Sequence, residues 1–339
     1  MTTGSEQASP EPLASTAPEA ATPARWRLDI SIVDYGILIA FVLLCVALAI
    51  LTPTFLTSGN ILNVGRQVSI VAILAAGQTF VILTAGIDLS VGSVLALSGA
   101  VAAGVAASVG WGPGIVAGLL VGAGAGLLSG LAITLLLVPD FVATLAMLSI
   151  ARGATLIYTG GQPIGVAEGG LRFLGAGTIG PIPVPIVVTL IVFAISIVAL
   201  RSTTFGRYVY ATGGNRRAAA FSGIDIKRVR VLVYVVSGLL AGLAGVVLTG
   251  RLATADPQAG VGYELDSIAA VVLGGTSLFG GQGTVARTLL GALILGVLSN
   301  GMNLLVVSPF LQEVVKGIVI VIAVAFGNVE QLRHRALGA

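Results

Sequence analysis

From residue 35 onward the chain alternates long apolar runs with short polar or glycine-rich breaks. A helix that crosses a bilayer needs about 20 mostly apolar residues. Cutting at charges, Gly–Pro punctuation and polar clusters predicts about ten spans, at roughly 35–51, 67–85, 91–109, 114–138, 141–158, 184–200, 231–250, 267–284, 288–306 and 309–327. The fifth carries Arg152, the eighth breaks at Gly274–Gly275 and Gly280–Gly281, and the tenth carries Glu313 and Lys316. Those two charges stand three apart, so they can pair on one helical face. The pattern predicts an all-α fold: a polytopic transmembrane helical bundle with one or more broken helices.

Composition agrees with the pattern. Charged residues are 9% of the 339 and mean hydropathy is +1.05, too few polar groups to cover the surface of a soluble domain. Only six charges fall within 35–200: Arg66, Asp88, Asp140, Arg152, Glu168 and Arg172. The net charge of +3 is too small and too scattered to make a nucleic-acid surface, so membrane lipid is the expected surrounding. One cysteine, Cys45, and one histidine, His334, leave no disulfide framework, no metal cluster and no Ser-His-Asp site. With no suitably paired carboxylates either, a membrane-embedded enzyme is disfavoured.

Orientation follows from the basic residues. The segment 201–230 holds Arg201, Arg207, Arg216, Arg217, Lys227, Arg228 and Arg230 against one acid, Asp225, and should be cytoplasmic. Alternation over ten spans then puts both termini in the cytoplasm and the loops 159–183 and 251–266 outside. Residues 1–28 read as a disordered tail, rich in Ala, Pro, Thr, Ser and Glu up to Arg25-Trp26-Arg27. The membrane domain covers 29–330, and 331–339 forms a short C-terminal tail.

Four stretches carry candidate roles. Gly114, Gly118, Gly122, Gly126 and Gly130 recur every four residues, a small ridge suited to close helix contact in lipid. In the run Gly77–Gly92, Asp88 or Ser90 can cap the third span. The alternative is a polar translocation path, with Gln78 meeting sugar hydroxyls; a neighbouring helix could equally satisfy that amide. In Arg207–Ile224, Asn215 can cap a short helix over Arg216–Ser222 that Gly223 closes. Ala218, Ala219 and Ala220 beside Phe221 then suit docking to a soluble partner. The glycine-rich run Ile268–Thr284 lacks the lysine of a phosphate loop and reads as a broken, tightly packed helix, with a weak echo of 86–100. With no G-x-x-x-x-G-K-[ST] anywhere, any ATPase must be a separate chain.

"AGIDLSVGS" at 85–93, "ATGGNRRAAAFSGI" at 211–224, "AAVVLGGTSLFGGQGT" at 269–284 and "NGMNLL" at 300–305 resemble the sugar-importer permeases of the ABC superfamily, of the ribose/xylose/arabinose/galactose type. The resemblance spans about 30–330. It implies a permease paired with a second copy in a bacterial inner membrane, ATP-binding cassette subunits on the cytoplasmic side that bind ATP and Mg, and an extracytoplasmic sugar-binding protein. No cofactor is implied on this chain. It also implies that Gly214, Asn215, Ala218, Ala219, Gly223 and Ile224 contact the ATPase. One departure is Arg287, where the pattern leads us to expect a small residue. The expected function is passage of a monosaccharide; the rival is an ion-coupled carrier using Asp88 or Glu313.

Overall fold

The structure, a computed structural model, describes residues 32–337. The predicted tail 1–28 and residues 338–339 lie outside them. Thirteen helices are described: α1 (Ile32–Leu51), α2 (Ser58–Leu83), α3 (Val91–Ser108), α4 (Trp111–Leu135), α5 (Asp140–Thr159), α6 (Gly170–Ala176), α7 (Val184–Ser202), α8 (Thr204–Gly214), α9 (Arg216–Phe221), α10 (Ile226–Leu252), α11 (Tyr263–Leu273), α12 (Val285–Leu304) and α13 (Pro309–Leu337). Two antiparallel two-residue ladders complete the described elements. One pairs β1 (Ile164–Gly165) with β4 (Thr254–Ala255), and the other pairs β2 (Thr178–Ile179) with β3 (Ile182–Pro183). The fold is an all-α polytopic bundle.

Among the described residues seven helices are long and apolar enough to cross a membrane: α2, α3, α4, α5, α7, α10 and α12. α1 and α13 occupy the first and tenth predicted spans. The eighth does not span: α11 stops after 11 residues, and turns carry the chain from Gly274 to Thr284. α2 begins at Ser58 rather than 67, because Arg66 and Gln67 ride within the helix instead of ending it. α13 runs on to Leu337, so most of the predicted C-terminal tail continues that helix.

Burial sorts the bundle into a centre and a rim. α10 packs on α4, α2, α3 and α6, while α2 also meets α12, α11 and α7. Leu120, Leu128 and Leu135 on α4, with Ile150 and Ile157 on α5, stand largely exposed. Bare apolar rims of this extent suit a hydrocarbon surrounding rather than water.

The glycine ridge of α4 is buried along its length. A Cβ at Gly114 would lie 2.6 Å from the Ala102 carbonyl, and one at Gly118 would lie 2.9 Å from that of Ser98, both on α3. Further along, Gly122 abuts Gly242, Gly126 abuts Tyr234 and Val235, and Gly130 abuts Val231, all on α10. Backbone approach of this kind yields contact where side chains would hold helices apart.

α2 and α11 end alike. Ala85 and Gly275 take left-handed conformations, with φ of 58° and 77°. Gly86 N–H then bonds the Val81 carbonyl at 3.1 Å, and Thr276 N–H bonds that of Val271 at 3.2 Å. This is the six-to-one closure of a helix C-terminus. Each helix therefore gives way to an unwound segment; Thr84–Ser90 is mostly buried in protein, a setting in which non-helical backbone is tolerated at membrane depth.

Candidate functional site

The first unwound segment, Thr84–Ser90, carries Asp88. Asp88 Oδ1 accepts from the Ser90 N–H at 3.0 Å and from Ser90 Oγ at 2.6 Å, and Oδ2 accepts from Ser237 Oγ at 2.8 Å. Ser90 itself makes no side-chain cap at the start of α3. Ser237 lies eleven residues into α10, about 16 Å along its axis at the usual rise, so α3 begins well inside the bundle. The Gln78 amide has one orientation that satisfies both of its ends. It donates to the Asp88 carbonyl and accepts from the Asp88 N–H, each at 3.2 Å. Gln78 and Asp88 are 0% and 1% exposed. Within this chain they hold the unwound segment and present no surface to a solute.

A second cluster joins four elements near the chain's basic segment. Asp140, the first residue of α5, pairs with Arg230 of α10 and accepts from Tyr234 Oη at 2.9 Å. Arg216, the first residue of α9, donates to the Thr84 carbonyl at the end of α2 at 3.1 Å. Desolvation and the like charge of Arg230 lower the Arg216 pKa, while Asp140 and Tyr234 act in the opposite direction. Gly86 sits close between these groups: a Cβ there would stand 2.7 Å from Asp140 Oδ2 and 2.8 Å from Tyr234 Oη. A helix on the polar edge is thus wired to the unwound segment in the interior.

That edge helix is α9. Asn215 Oδ1 accepts from the Ala218 N–H at 3.0 Å, and Gly223, at φ 82°, ends the element. Ile224 N–H returns to the Ala219 carbonyl at 3.1 Å. Of the six residues in the loop pattern, Gly214, Asn215, Ala218 and Gly223 are exposed and Ile224 is half-buried, whereas Ala219 is 4% exposed and faces its own chain. Phe221 stands 92% exposed. The bare ring, rather than the alanine face as a whole, is what α9 offers outward.

Beneath α9 three chain segments cross. Gly281 N–H donates to the Leu83 carbonyl at 2.9 Å, and the Cβ position of Gly213 points into that same carbonyl. Tyr210 Oη donates to the Gly283 carbonyl at 2.8 Å. Arg287, the departure from the family pattern, sits in the first turn of α12, where Thr284 Oγ1 accepts its N–H at 3.4 Å.

Residues 60–324 match the family described as branched-chain amino acid transport system / permease component. The chain belongs to this family. Among its relatives in it, the permease is 52% identical to the ribose import permease protein RbsC of Bacillus subtilis (strain 168) over 293 residues, 85% of this chain and 91% of that one. It is 47% identical to the protein of the same name from Escherichia coli (strain K12), over 87% of this chain and 93% of that one. Its identity to the L-arabinose ABC transporter permease protein AraH of Azospirillum brasilense is 36%, over 98% and 97% of the two chains. No solved structure matches the permease.

Two features escaped the reading of the sequence. Asp140, Arg230 and Tyr234 lie as far as 94 positions apart, and nothing local announces their meeting. Lys316 does pair with Glu313 at 3.0 Å, but it also reaches Asp266 on α11 at 3.4 Å. The only signal for that second partner was a lysine inside an apolar helix, which demands compensation.

Proposed function

We propose that this multi-pass membrane protein is the permease subunit of an ATP-driven importer that passes one monosaccharide, a pentose or hexose. The observation that carries the reading is 47–52% identity to ribose import permeases over most of both chains. Supporting it, the sequence holds no phosphate-binding lysine loop, so ATP and Mg belong on separate ATP-binding cassette chains. α9, with Phe221 bare and Arg216 tied to the Thr84 carbonyl, gives those chains a handle on the interior. The side bearing α9 is cytoplasmic, as are both termini, and the membrane is the bacterial inner membrane. An extracytoplasmic sugar-binding protein delivers the solute on the opposite face, and a second permease copy completes the pathway.

Uptake of labelled D-ribose by cells expressing the whole system tests this. ATP depletion should abolish uptake while a protonophore applied at constant ATP leaves it intact. Collapse with the protonophore and persistence without ATP would favour the ion-coupled carrier instead.

A further inference from the structure

Between α2, α11, α12 and α13 lies a cavity of about 130 Å³ whose lining includes Gln67, Tyr263, Asp266, Gly296, Ser299 and Lys316. Gly296 lies close against Val68, where a Cβ would run into that side chain. The lining is richer in hydrogen-bonding capacity than in bonds. Among the described residues the Asp266 carboxylate is engaged only by Lys316, through one oxygen at 3.4 Å. The Gln67 amide, the Ser299 hydroxyl and the Tyr263 hydroxyl make no hydrogen bond among the described residues. These side chains are half-buried, and lipid-embedded bundles hold polar groups where a solute passes.

We propose that this cavity is a station for one uncharged monosaccharide on its way through the permease. The inference deepens the proposed function and rests on it. Chemistry fits a polyol: one carboxylate oxygen and two side-chain oxygens accept from ring hydroxyls, while the ammonium, the amide N–H groups and the hydroxyls donate back. The Tyr263 ring can cover a C–H face of the sugar. Size selects as well. Sites for drug-sized ligands run to about 300–1,000 Å³, so this cavity suits a single small ring and excludes a disaccharide. Charge points the same way, because the anion and cation of the lining already pair with each other. Glu313 meets the same ammonium from its own exposed position at 3.0 Å.

The sole cysteine, Cys45, makes the test direct. A C45S/S299C permease, assembled with its ATPase in membrane vesicles, carries a single thiol in the cavity. D-ribose at millimolar concentration should slow its modification by a small methanethiosulfonate reagent several-fold, and sucrose should not. Labelling of Cys45 in the parent should ignore both sugars. Gln67→Leu removes polar contacts worth about tenfold in sugar occupancy. Its maximal D-ribose uptake should fall by about that factor, with membrane level and ATPase co-purification unchanged. Equal labelling with and without D-ribose, in a protein that still imports D-ribose, overturns the station. So does parental uptake in Gln67→Leu. Protection by sodium ions in place of sugar overturns it in favour of a cation site. A parent that imports no monosaccharide overturns the proposed function first, and the station with it.

Discussion

Gly122→Ala adds one methyl group to α4 where it meets α10 backbone to backbone. The new carbon would lie 2.8 Å from Gly242 Cα and 2.9 Å from Gly242 N, and closer still to the Gly238 carbonyl. All three are main-chain atoms, so no rotamer change relieves the overlap. Ordinary contact begins at 3.4 Å, so the helices must part by roughly 0.6 Å against Gly242 and further against Gly238. A gap of about 0.5–1 Å already forfeits a quarter to a half of each dispersion contact nearby. Overpacking of this kind costs about 1–3 kcal/mol. Gly124 supplies the internal control, because a Cβ there meets nothing within 4 Å. Gly124→Ala keeps the packing and gains about 0.5–1 kcal/mol of helix preference. The two alanines, two positions apart, should therefore differ by about 2–4 kcal/mol in opposite directions from the parent. Thermal unfolding of the purified permease in one detergent, at one scan rate, reads the difference even when unfolding is irreversible. Gly124→Ala should melt at or above the parent and Gly122→Ala several degrees below. Equal midpoints for both variants would refute the argument that α4 and α10 meet through backbone.

The remaining expectations concern α9 and orientation. Phe221→Asp should leave membrane levels intact and cut ATPase co-purification by roughly thirtyfold, the equivalent of about 2 kcal/mol for one aromatic anchor; retention of the ATPase would remove α9 from that interface. Ala219→Glu, which buries a carboxylate against the permease itself, should instead lower the yield of the folded subunit, and normal yield would show that the site opens outward. A single cysteine placed at Asn215 should react with a membrane-impermeant thiol reagent only in inverted vesicles, and reaction in intact cells would reverse the assigned orientation.

The sequence announced helices by apolar length, and the length criterion held for seven of them among the described residues. It failed at one charge: Arg66 was treated as a boundary although its side chain can lie along α2. The break in 267–284 was legible from its glycines, and the backbone does unwind after Leu273. At the candidate site, local chemistry was legible and distant chemistry was not. Asn215 and Gly223 lie within one short stretch, and their capping geometry follows from residue type. Asp88 was legible as an acid near a helix start, but its bond to Ser237 crosses 149 positions. The cavity lining was illegible for the same reason, since it draws on four helices.

The crossing at the Leu83 carbonyl is built from main chain alone. Gly281 bonds it, Gly213 faces it, and no side chain intervenes. Side chains act as springs, because they can change rotamer and absorb a small displacement; this joint has none to change. A displacement of α8 would therefore find no rotamer at this joint to absorb it. The same bareness shapes which sequences can sustain it. Gly213 and Gly281 have no spare volume, yet the joint asks nothing of the side chains around it.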